Sequence, residues 1–205
     1  MSDRFLPRHD NVKAEISERT LEYDGFIKLY TCKVDYNHST GDRRSVEREI
    51  HDHGHAICVL PVDRDRRVAL LVRQLRIGPL ANGDRDPMIL EVAAGLVDPG
   101  ETAEEAALRE AREELGFDLN DLFHVTSFYA SPGTLTEKID AYLASYTLND
   151  KIHAGGGLDA EDEDIIVEEI ALDELGEAAL QGNLRDAKTI LLVQHLMLGE
   201  PELFF

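Results

Sequence analysis

The chain contains no tryptophan, only two cysteines in 205 residues, and 21 basic against 41 acidic side chains. Cys32 and Cys58 stand in separate apolar runs and form no CxxC or zinc-type spacing. We therefore expect two buried free thiols in a reducing compartment. No apolar run approaches the ~20 residues of a membrane helix, and the start of the chain lacks the apolar stretch of a signal peptide. These absences together favour a cytoplasmic protein.

The shortage of positive charge leaves a formal net charge of −20. Nonspecific binding to nucleic acid or to an anionic membrane needs a basic surface, so we expect neither partner. An anionic substrate would instead need locally concentrated arginines. A chain of this length suits one domain with a full core, or one domain with a smaller appendage.

The most informative stretch runs from Gly95 to Phe117, GLVDPGETAEEAALREAREELGF. Its first six residues have glycine at both ends around Asp-Pro, a composition typical of a loop. A helix rich in Ala, Glu, Leu and Arg is predicted from Glu101 onward and ends at Gly116. At about 100° per residue, this helix has a narrow apolar stripe formed by Leu108, Ala111 and Leu115.

Three glutamates of this helix are predicted to point away from the apolar stripe: Glu110, Glu113 and Glu114. Glu110 and Glu114 stand one turn apart, where like charges cost an exposed helix roughly 0.2–0.5 kcal/mol. A solvated acidic face and a site for a hard cation both fit, because Mg²⁺ prefers carboxylate oxygens. Helix geometry alone favours the solvated face.

The complete spacing favours the cation site. Glycine, five residues, Glu, seven residues, Arg-Glu, a small apolar residue, one residue, Glu-Glu, one residue, glycine and an apolar residue resemble the Nudix box. The positions are filled by Gly95, Glu101, Arg109, Glu110, Ala111, Glu113, Glu114, Gly116 and Phe117. Ala111 replaces the larger aliphatic residue that is usual there. This resemblance implies a Nudix hydrolase that cleaves a pyrophosphate bond.

The resemblance also implies roles for the residues of the box. The implied metal ligands are Glu110, Glu114 and the carbonyl of Ala94. Glu113 is expected to assist them in catalysis, and Mg²⁺ is the expected cofactor, with Mn²⁺ as a substitute. Arg109 is expected to form an ion pair with Glu101 or Glu113 and thereby to orient the cluster.

The order of strand and helix patterns predicts an α/β fold with a mixed sheet between helices, which fits the α/β/α Nudix sandwich. We expect strands over Ala56–Val62, Val68–Leu75 and Met88–Ala94. Residues 1–50 are expected to form a small β-strand region without a core of its own, and residues 51–205 the Nudix domain. In Nudix enzymes that cleave nucleoside diphosphate sugars, a comparable N-terminal region forms the dimer, so a homodimer is expected.

Candidate substrate-binding residues lie on either side of the box. Arg73 and Arg76 close a strand and can bind phosphate bidentately, and they resemble the RQxR segment of the family. Glu91 is a lone carboxylate in an apolar run and needs a nucleotide hydroxyl, a base donor or a nearby arginine. Arg48 resembles a substrate arginine of related hydrolases, although a surface ion pair fits equally well. Lys188 follows a helix start where it could meet an anion.

Alternating histidines at positions 51, 53 and 55 would face one side of a strand. A transition-metal site is conceivable there, but no nearby cysteine or second histidine cluster completes it. We therefore expect ordinary hydrogen bonding at these positions.

The segments after the box carry further candidates. Pro132, sixteen residues beyond Gly116, resembles the proline of ADP-ribose pyrophosphatases and their sugar-nucleotide relatives. Ser131 is then expected at the substrate, and Glu137 near the substrate or the catalytic water. The acidic segment Ala154–Asp164 resembles a Glu-x-Glu-Asp loop of these enzymes. Either of its glutamates, Glu161 or Glu163, fits the general base, and the other would support the metal.

The whole pattern looks most like the GDP-mannose pyrophosphatase branch of the family, and the expected partner is a small nucleoside diphosphate sugar. An ADP-ribose pyrophosphatase is the alternative. Two alternatives belong to other functional classes. One is a Nudix-fold sensor that binds a nucleotide sugar without cleaving it, and the other is an acidic Ca²⁺-buffering or protein-interaction module. The intact box argues against the sensor, and the spaced glycines and strand-end arginines against the buffer.

Overall fold

A computed structural model describes residues 13–158 and 163–205, which divide into two compact units. The first unit comprises the described residues up to His53 together with Ser131–Glu137. The second comprises Gly54–Ala130 and Lys138–Phe205. No helix of the described part of the chain is long and apolar enough to cross a membrane.

The first unit is a three-stranded antiparallel sheet in the order β1-β2-β3. Its strands are β1 (Ala14–Asp24), β2 (Lys28–Asn37) and β3 (Arg43–Asp52). β1 is exposed along its whole length. It lies in the expected β-strand region of residues 1–50, but its own bounds were not predicted, because its polar residues outnumber its apolar ones. β2 contributes the buried Cys32. Cys32 and Cys58 are both free and buried, as predicted.

The second unit contains seven strands and four α-helices among its described residues. The strands are β4 (Ala56–Asp63), β5 (Val68–Leu75), β6 (Met88–Glu91), β7 (Ala93–Leu96), β8 (Leu122–Phe128), β9 (Ile139–Ser145) and β10 (Ile166–Ala171). The helices are α1 (Ile77–Asn82), α2 (Ala103–Glu110), α3 (Leu172–Gln181) and α4 (Ala187–Gly199). α2 continues as a π-helical turn over Ala111–Leu115.

The strands of the second unit form a mixed sheet in the order β10-β5-β4-β9-β8. β4 and β9 are parallel, whereas the other pairs are antiparallel. β4 and β5 pair with each other only at Val62–Ala69 and Asp63–Val68. Farther along, β5 pairs with β6 and β4 pairs with β7. The predicted mixed sheet is therefore confirmed.

Helices cover both faces of this sheet, which explains why every residue of β4 is buried. Ile57 and Val59 belong to one apolar cluster with Ala107 of α2. Leu60, on the opposite face of β4, packs in a second cluster with Leu192 of α4. This alternation places the sheet between α2 on one side and α3 and α4 on the other, so the predicted α/β/α sandwich is confirmed.

Two local predictions were wrong. The strand expected over Met88–Ala94 is interrupted at Val92, because the chain there changes its partner from β5 to β4. The segment Gly78–Pro87, which the sequence predicts as a loop, instead contains most of α1, which ends at Gly83 with a φ of 88°. A left-handed glycine is a common helix end, and it was the available sequence signal for α1.

Candidate active site

The box helix begins and ends with recognisable local signals. Thr102 caps α2 by accepting a hydrogen bond from the Glu105 N–H over 3.2 Å, while the Glu105 carboxylate accepts the Thr102 N–H over 2.8 Å. This reciprocal capping box satisfies two free amides of the first turn. The helix ends at Gly116 with a φ of 78°. A side chain there would collide with the backbone of His153 and Gly155.

The glutamates of the box are more buried than the sequence predicted. Glu110 is 9% exposed and Glu114 only 1%, whereas the expectation was a solvent-facing side. A π-helical turn over Ala111–Leu115 breaks the regular periodicity on which that expectation rested. Gly95 also makes room, because a Cβ at this position would overlap the Glu110 carboxylate. The prediction that Glu110 and Glu114 point away from the core was therefore wrong.

Burial dominates the electrostatics of these two carboxylates. It raises the pKa of Glu114 well above its ordinary value, and the charge of Glu110 raises it further. Burial likewise raises the pKa of Glu110, although Arg109 opposes that shift. The Ala94 N–H donates to Glu114 Oε2 over 3.1 Å. Ionising both groups at neutral pH is therefore unfavourable unless a cation lies nearby.

Arg109 connects the box glutamates with one another. Its guanidinium donates to both oxygens of Glu101 at 3.0 and 3.1 Å, to Glu110 at 2.7 Å and to Glu113 at 3.0 Å. It also donates to the Leu96 carbonyl of β7 over 2.9 Å. The expected ion pair with Glu101 or Glu113 is therefore present with both, and Glu110 is a third partner.

The donor chemistry of this cluster fits a hard divalent cation. Glu114 has no ion-pair partner within residues 13–158 and 163–205, and a buried carboxylate normally has one or coordinates a metal. Glu163 adds its negative charge and raises the pKa of both Glu110 and Glu114. In the described part of the chain, no three His, Cys, Asp or Glu side chains already stand in a metal-holding arrangement. The cluster has the oxygen donors that a hard cation prefers, and the Glu114 carboxylate lacks a compensating positive charge among the described residues, although the side chains have not converged as ligands.

Arg76, Glu91, Lys188 and Asp186 form a second charged network, which lines a cavity of about 340 Å³. Arg76 donates to both Glu91 oxygens, at 2.6 and 3.0 Å. Lys188 Nζ lies 3.2 Å from Glu91 and 2.7 Å from Asp186. Of the three partners that the sequence allowed for Glu91, the arginine is the one in contact. Three predicted substrate-binding residues are thereby brought together.

The other strand-end arginine has a different partner. Arg73 pairs across strands with Glu168 of β10, at 2.5 and 3.2 Å. An anionic ligand of Arg73 would have to displace or share this carboxylate. In the structure Arg73 therefore forms an ion pair that joins β5 to β10.

In the first unit, Glu137 contacts His53. Glu137 Oε1 and His53 Nε2 are 2.9 Å apart, and both side chains are largely buried. The His51 and His53 rings have centroids 4.7 Å apart. His53 thus makes the ordinary hydrogen bond that was expected of this histidine run.

Arg48 and Ser131 also lie in the first unit. Arg48 is exposed on β3 and donates to the Glu47 carbonyl over 2.7 Å. The surface ion pair considered for Arg48 does not occur among the described residues. Ser131 begins the turn that includes Pro132, and its Oγ lies 3.3 Å from the Thr134 hydroxyl.

The acidic segment is described only in part. Glu163 accepts the Leu158 N–H over 3.0 Å, and a side chain at Gly157 would collide with it. Glu161, the other candidate for the general base, lies outside the described residues.

Sequence reasoning missed two functional candidates at the start of α4, Asp186 and Thr189. Asp186 caps the helix by accepting the Thr189 N–H over 2.9 Å, and Thr189 is fully buried. An aspartate three residues before a threonine at a helix start was the available signal. Their connection to the box depends on tertiary contacts and had no sequence signal.

Comparison with known proteins identifies the class to which this fold and site belong. The NUDIX domain model matches residues 52–193, more than half of the chain. The chain therefore belongs to the Nudix family. Nudix hydrolases generally use a divalent metal, in keeping with the carboxylate cluster.

Individual relatives cover nearly the whole chain. A GDP-mannose pyrophosphatase of Cronobacter sakazakii is 35% identical over 188 residues, which are 92% of this chain and 97% of the relative. GDP-mannose pyrophosphatases of Salmonella arizonae and Escherichia coli O157:H7 are 35% and 33% identical, over 84% and 86% of this chain and 89% and 91% of theirs. A crystal structure of an ADP compounds hydrolase matches with a TM-score of 0.64 and 23% identity, over 92% of this chain and 96% of the other. That last similarity supports the fold alone.

Proposed function

We propose that this Nudix pyrophosphohydrolase cleaves the pyrophosphate bond of a nucleoside diphosphate sugar, with GDP-mannose as the favoured substrate. The products would be a nucleoside monophosphate and a sugar phosphate. The observation that carries the proposal is the similarity to GDP-mannose pyrophosphatases over almost the full length of both chains. The intact box, with Glu110 and Glu114 buried side by side, supplies the chemistry that such hydrolysis needs.

Glu110, Glu114 and the Ala94 carbonyl would hold Mg²⁺, and Mn²⁺ would serve as a chemical substitute. When bound, the cation withdraws charge from phosphorus and lowers the pKa of the attacking water. Arg109 keeps Glu110 and Glu113 in fixed orientations through its hydrogen bonds at 2.7 and 3.0 Å. Glu113 would thereby stay close to the cation and support its binding.

Arg76 and Lys188 would bind the anionic part of the substrate. Both are held by Glu91, so an incoming phosphate would add to an existing network rather than order free side chains. Such preorganisation lowers the entropic cost of binding. Arg73, Arg48 and Ser131 remain candidates for further substrate contacts.

The general base is proposed among Glu161, Glu163 and Glu137. The three Glu→Gln variants should be compared at saturating Mg²⁺, with turnover as the readout. The base is the residue whose loss lowers turnover regardless of metal concentration. A variant that excess Mg²⁺ rescues has lost a metal-supporting group instead.

The decisive experiment is a substrate panel with Mg²⁺ that reads out released monophosphate. It should contain GDP-mannose, ADP-ribose, UDP-glucose, diadenosine polyphosphates and nucleoside triphosphates. We expect the highest kcat/KM for GDP-mannose. A preference for ADP-ribose would establish the alternative activity, and tight binding without turnover would establish a sensor.

We also propose a homodimer and a cytoplasmic location. Exposed apolar residues on and after β1, such as Ile16, Tyr23 and Phe26, favour burial against a second copy. The two buried free thiols favour a reducing compartment. Analytical ultracentrifugation tests the first proposal, since a monomer at micromolar concentration would contradict it. Fractionation of cells tests the second, which a membrane or extracellular location would contradict.

A further inference from the structure

Val92 lies where the chain leaves one strand neighbour and joins another. Glu91 pairs with Val72 of β5, and Ala93 pairs with Val59 of β4. Val92 itself belongs to neither ladder and is fully buried. A buried N–H without an acceptor costs about 1–3 kcal/mol, so this amide needs a partner from another element.

That partner is the hydroxyl of Thr189 in the first turn of α4. The Val92 N–H donates to Thr189 Oγ1 over 2.9 Å, and neither residue has exposed surface. The hydroxyl donates its own proton to Asp186 Oδ2 over 2.7 Å. Because a hydroxyl has a single proton, the contact with Asp186 leaves its lone pairs for the Val92 amide. Serine is the one other side chain of similar size that can do both.

Asp186 is well suited to orient this hydroxyl. Its Oδ2 also accepts the Thr189 N–H over 2.9 Å, and its Oδ1 accepts Lys188 Nζ over 2.7 Å. Burial pushes the pKa of Asp186 up, but Lys188 and Thr189 outweigh this effect and hold the pKa below its usual value. The carboxylate is therefore ionised and acts only as an acceptor.

Glu91 and Ala94, on either side of this junction, both belong to the candidate active site. On one side, Glu91 holds Arg76 and Lys188. On the other, the Ala94 N–H contacts Glu114 over 3.1 Å. A displacement of Val92 would therefore move both the anion-binding network and the backbone that faces the buried carboxylate.

We propose that Thr189 is a positioning residue, which fixes the β6–β7 junction through the Val92 amide and thereby places Ala94 against Glu114. This role presupposes the hydrolysis proposed above and needs no contact between Thr189 and the substrate. A misplacement of about 1 Å at a catalytic group can cost roughly 100-fold in rate. The hydroxyl should therefore matter for turnover as well as for stability.

Thr189→Val keeps the shape of the side chain and removes both hydrogen bonds. We expect kcat for Mg²⁺-dependent hydrolysis to fall at least about tenfold. KM should change much less than kcat, and half-maximal activity should need more Mg²⁺. Thr189→Ser, which keeps the hydroxyl, should recover kcat to within a small factor of wild type.

Val193→Ala is the matched control, because Val193 is equally buried on α4 and belongs to the apolar cluster of that face. It should lower Tm through a cavity and leave kcat and the Mg²⁺ dependence unchanged. If Thr189→Val behaves like this control, or if Thr189→Ser fails to rescue turnover, the positioning role is wrong.

Hydrogen–deuterium exchange over Met88–Leu96 gives a readout that does not need activity. Exchange of this segment should accelerate several-fold in Thr189→Val and stay near wild type in Val193→Ala. Equal exchange in both variants would overturn the role of Thr189. Should Thr189→Val not fold, Thr189→Ala takes its place with the same readouts. A wild-type protein inactive on the whole substrate panel would defeat the proposed function, while exchange would still decide the role of Thr189.

Discussion

Glu114 is the residue at which charge and burial conflict most strongly. Its side chain is almost fully buried, and its pKa is raised by burial and by Glu110. Among the described residues, its carboxylate accepts the Ala94 amide and forms no ion pair with a cationic side chain. A carboxylate in this position destabilises the folded chain at neutral pH. A bound divalent cation would compensate this charge. The buried carboxylate is therefore explained by a role in metal binding, since it does not stabilise the fold.

Replacing Glu114 by Gln should therefore separate stability from activity. In the absence of divalent cations, we expect Glu114→Gln to unfold at the same Tm as wild type or higher, because position 114 no longer buries a charge. Mg²⁺ should raise the Tm of wild type and have little effect on the variant, while turnover falls by orders of magnitude. Thermal unfolding with Mg²⁺ and with EDTA measures both effects, and near-normal hydrolysis by the variant would contradict the metal role.

Gly95 offers a second test at the level of one residue. Its missing side chain leaves room for the Glu110 carboxylate, which is the flexible end of its side chain and can move away. Gly95→Ala should therefore cost little stability but lower turnover about 10- to 100-fold, because Glu110 is displaced.

Gly199→Ala is a suitable control for this change, since an added Cβ there meets no atom within 4 Å. It should leave turnover unchanged. Equal activities of Gly95→Ala and wild type would show that the position of Glu110 is not critical.

The box helix depends on contacts that join it to the sheet. Arg109 donates to the Leu96 carbonyl of β7 and to Glu101, Glu110 and Glu113 at once. An arginine has five donors in a fixed planar arrangement, whereas lysine has three on one nitrogen. Arg109 thus orients the helix through several hydrogen bonds at once, and a lysine at this position could not form all of them.

Arg109→Lys should therefore lower kcat and raise the Mg²⁺ concentration needed for half-maximal activity, although the charge is kept. We expect a loss of about tenfold, because Glu110 and Glu113 lose a common anchor. Arg112→Lys is the matched control in the π-helical turn that continues this helix, where an exposed arginine pairs with Asp118 and with no other acidic residue of the described ranges. Similar kinetics for the two variants would contradict the anchoring role.

For the whole molecule, two sets of carboxylates predict opposite responses to pH. The pKa values of Glu101, Glu169 and Glu200 lie below the ordinary 4.5 because Arg109, Arg66 and Arg64 hydrogen-bond their carboxylates. The folded state then binds fewer protons than the unfolded chain. Their stabilisation is present above about 4.5 and is lost as the pH falls through the depressed values.

Glu110 and Glu114 act in the other direction. Their raised pKa values mean that the folded state binds more protons above 4.5, so stability increases as the pH falls through those raised values. Falling net negative charge adds to this increase.

Without metal, we therefore expect the free energy of unfolding to rise from neutral pH toward about pH 5 and to fall below about 4.5. Urea unfolding over this range measures the profile. Glu114→Gln should flatten the rising part and leave the acid limb unchanged, and a monotonic loss of stability from neutral pH downward in wild type would contradict this assignment.

Much of the fold could be predicted from the sequence, because strand periodicity and helix-end residues depend on a few neighbouring positions. β5 has the predicted bounds, and the helix of the box ends at Gly116 as predicted, since strand periodicity and a left-handed glycine act over a few residues. β1 and α1 were missed, because the first is polar along its length and the second is only six residues long. The interruption at Val92 could not be seen, because it depends on which neighbours the strand meets.

By itself, the sequence determined the spacing of the box, the buried strands of the sheet and the free thiols. These follow from residue identity and from short-range periodicity. The tertiary structure alone decided that Glu110 and Glu114 are buried, that Glu91 holds Arg76 and Lys188, and that Thr189 receives the Val92 amide. The last contact joins residues 97 positions apart. Such contacts are set by the packing of α4 and β6 around a common core, which no local pattern encodes.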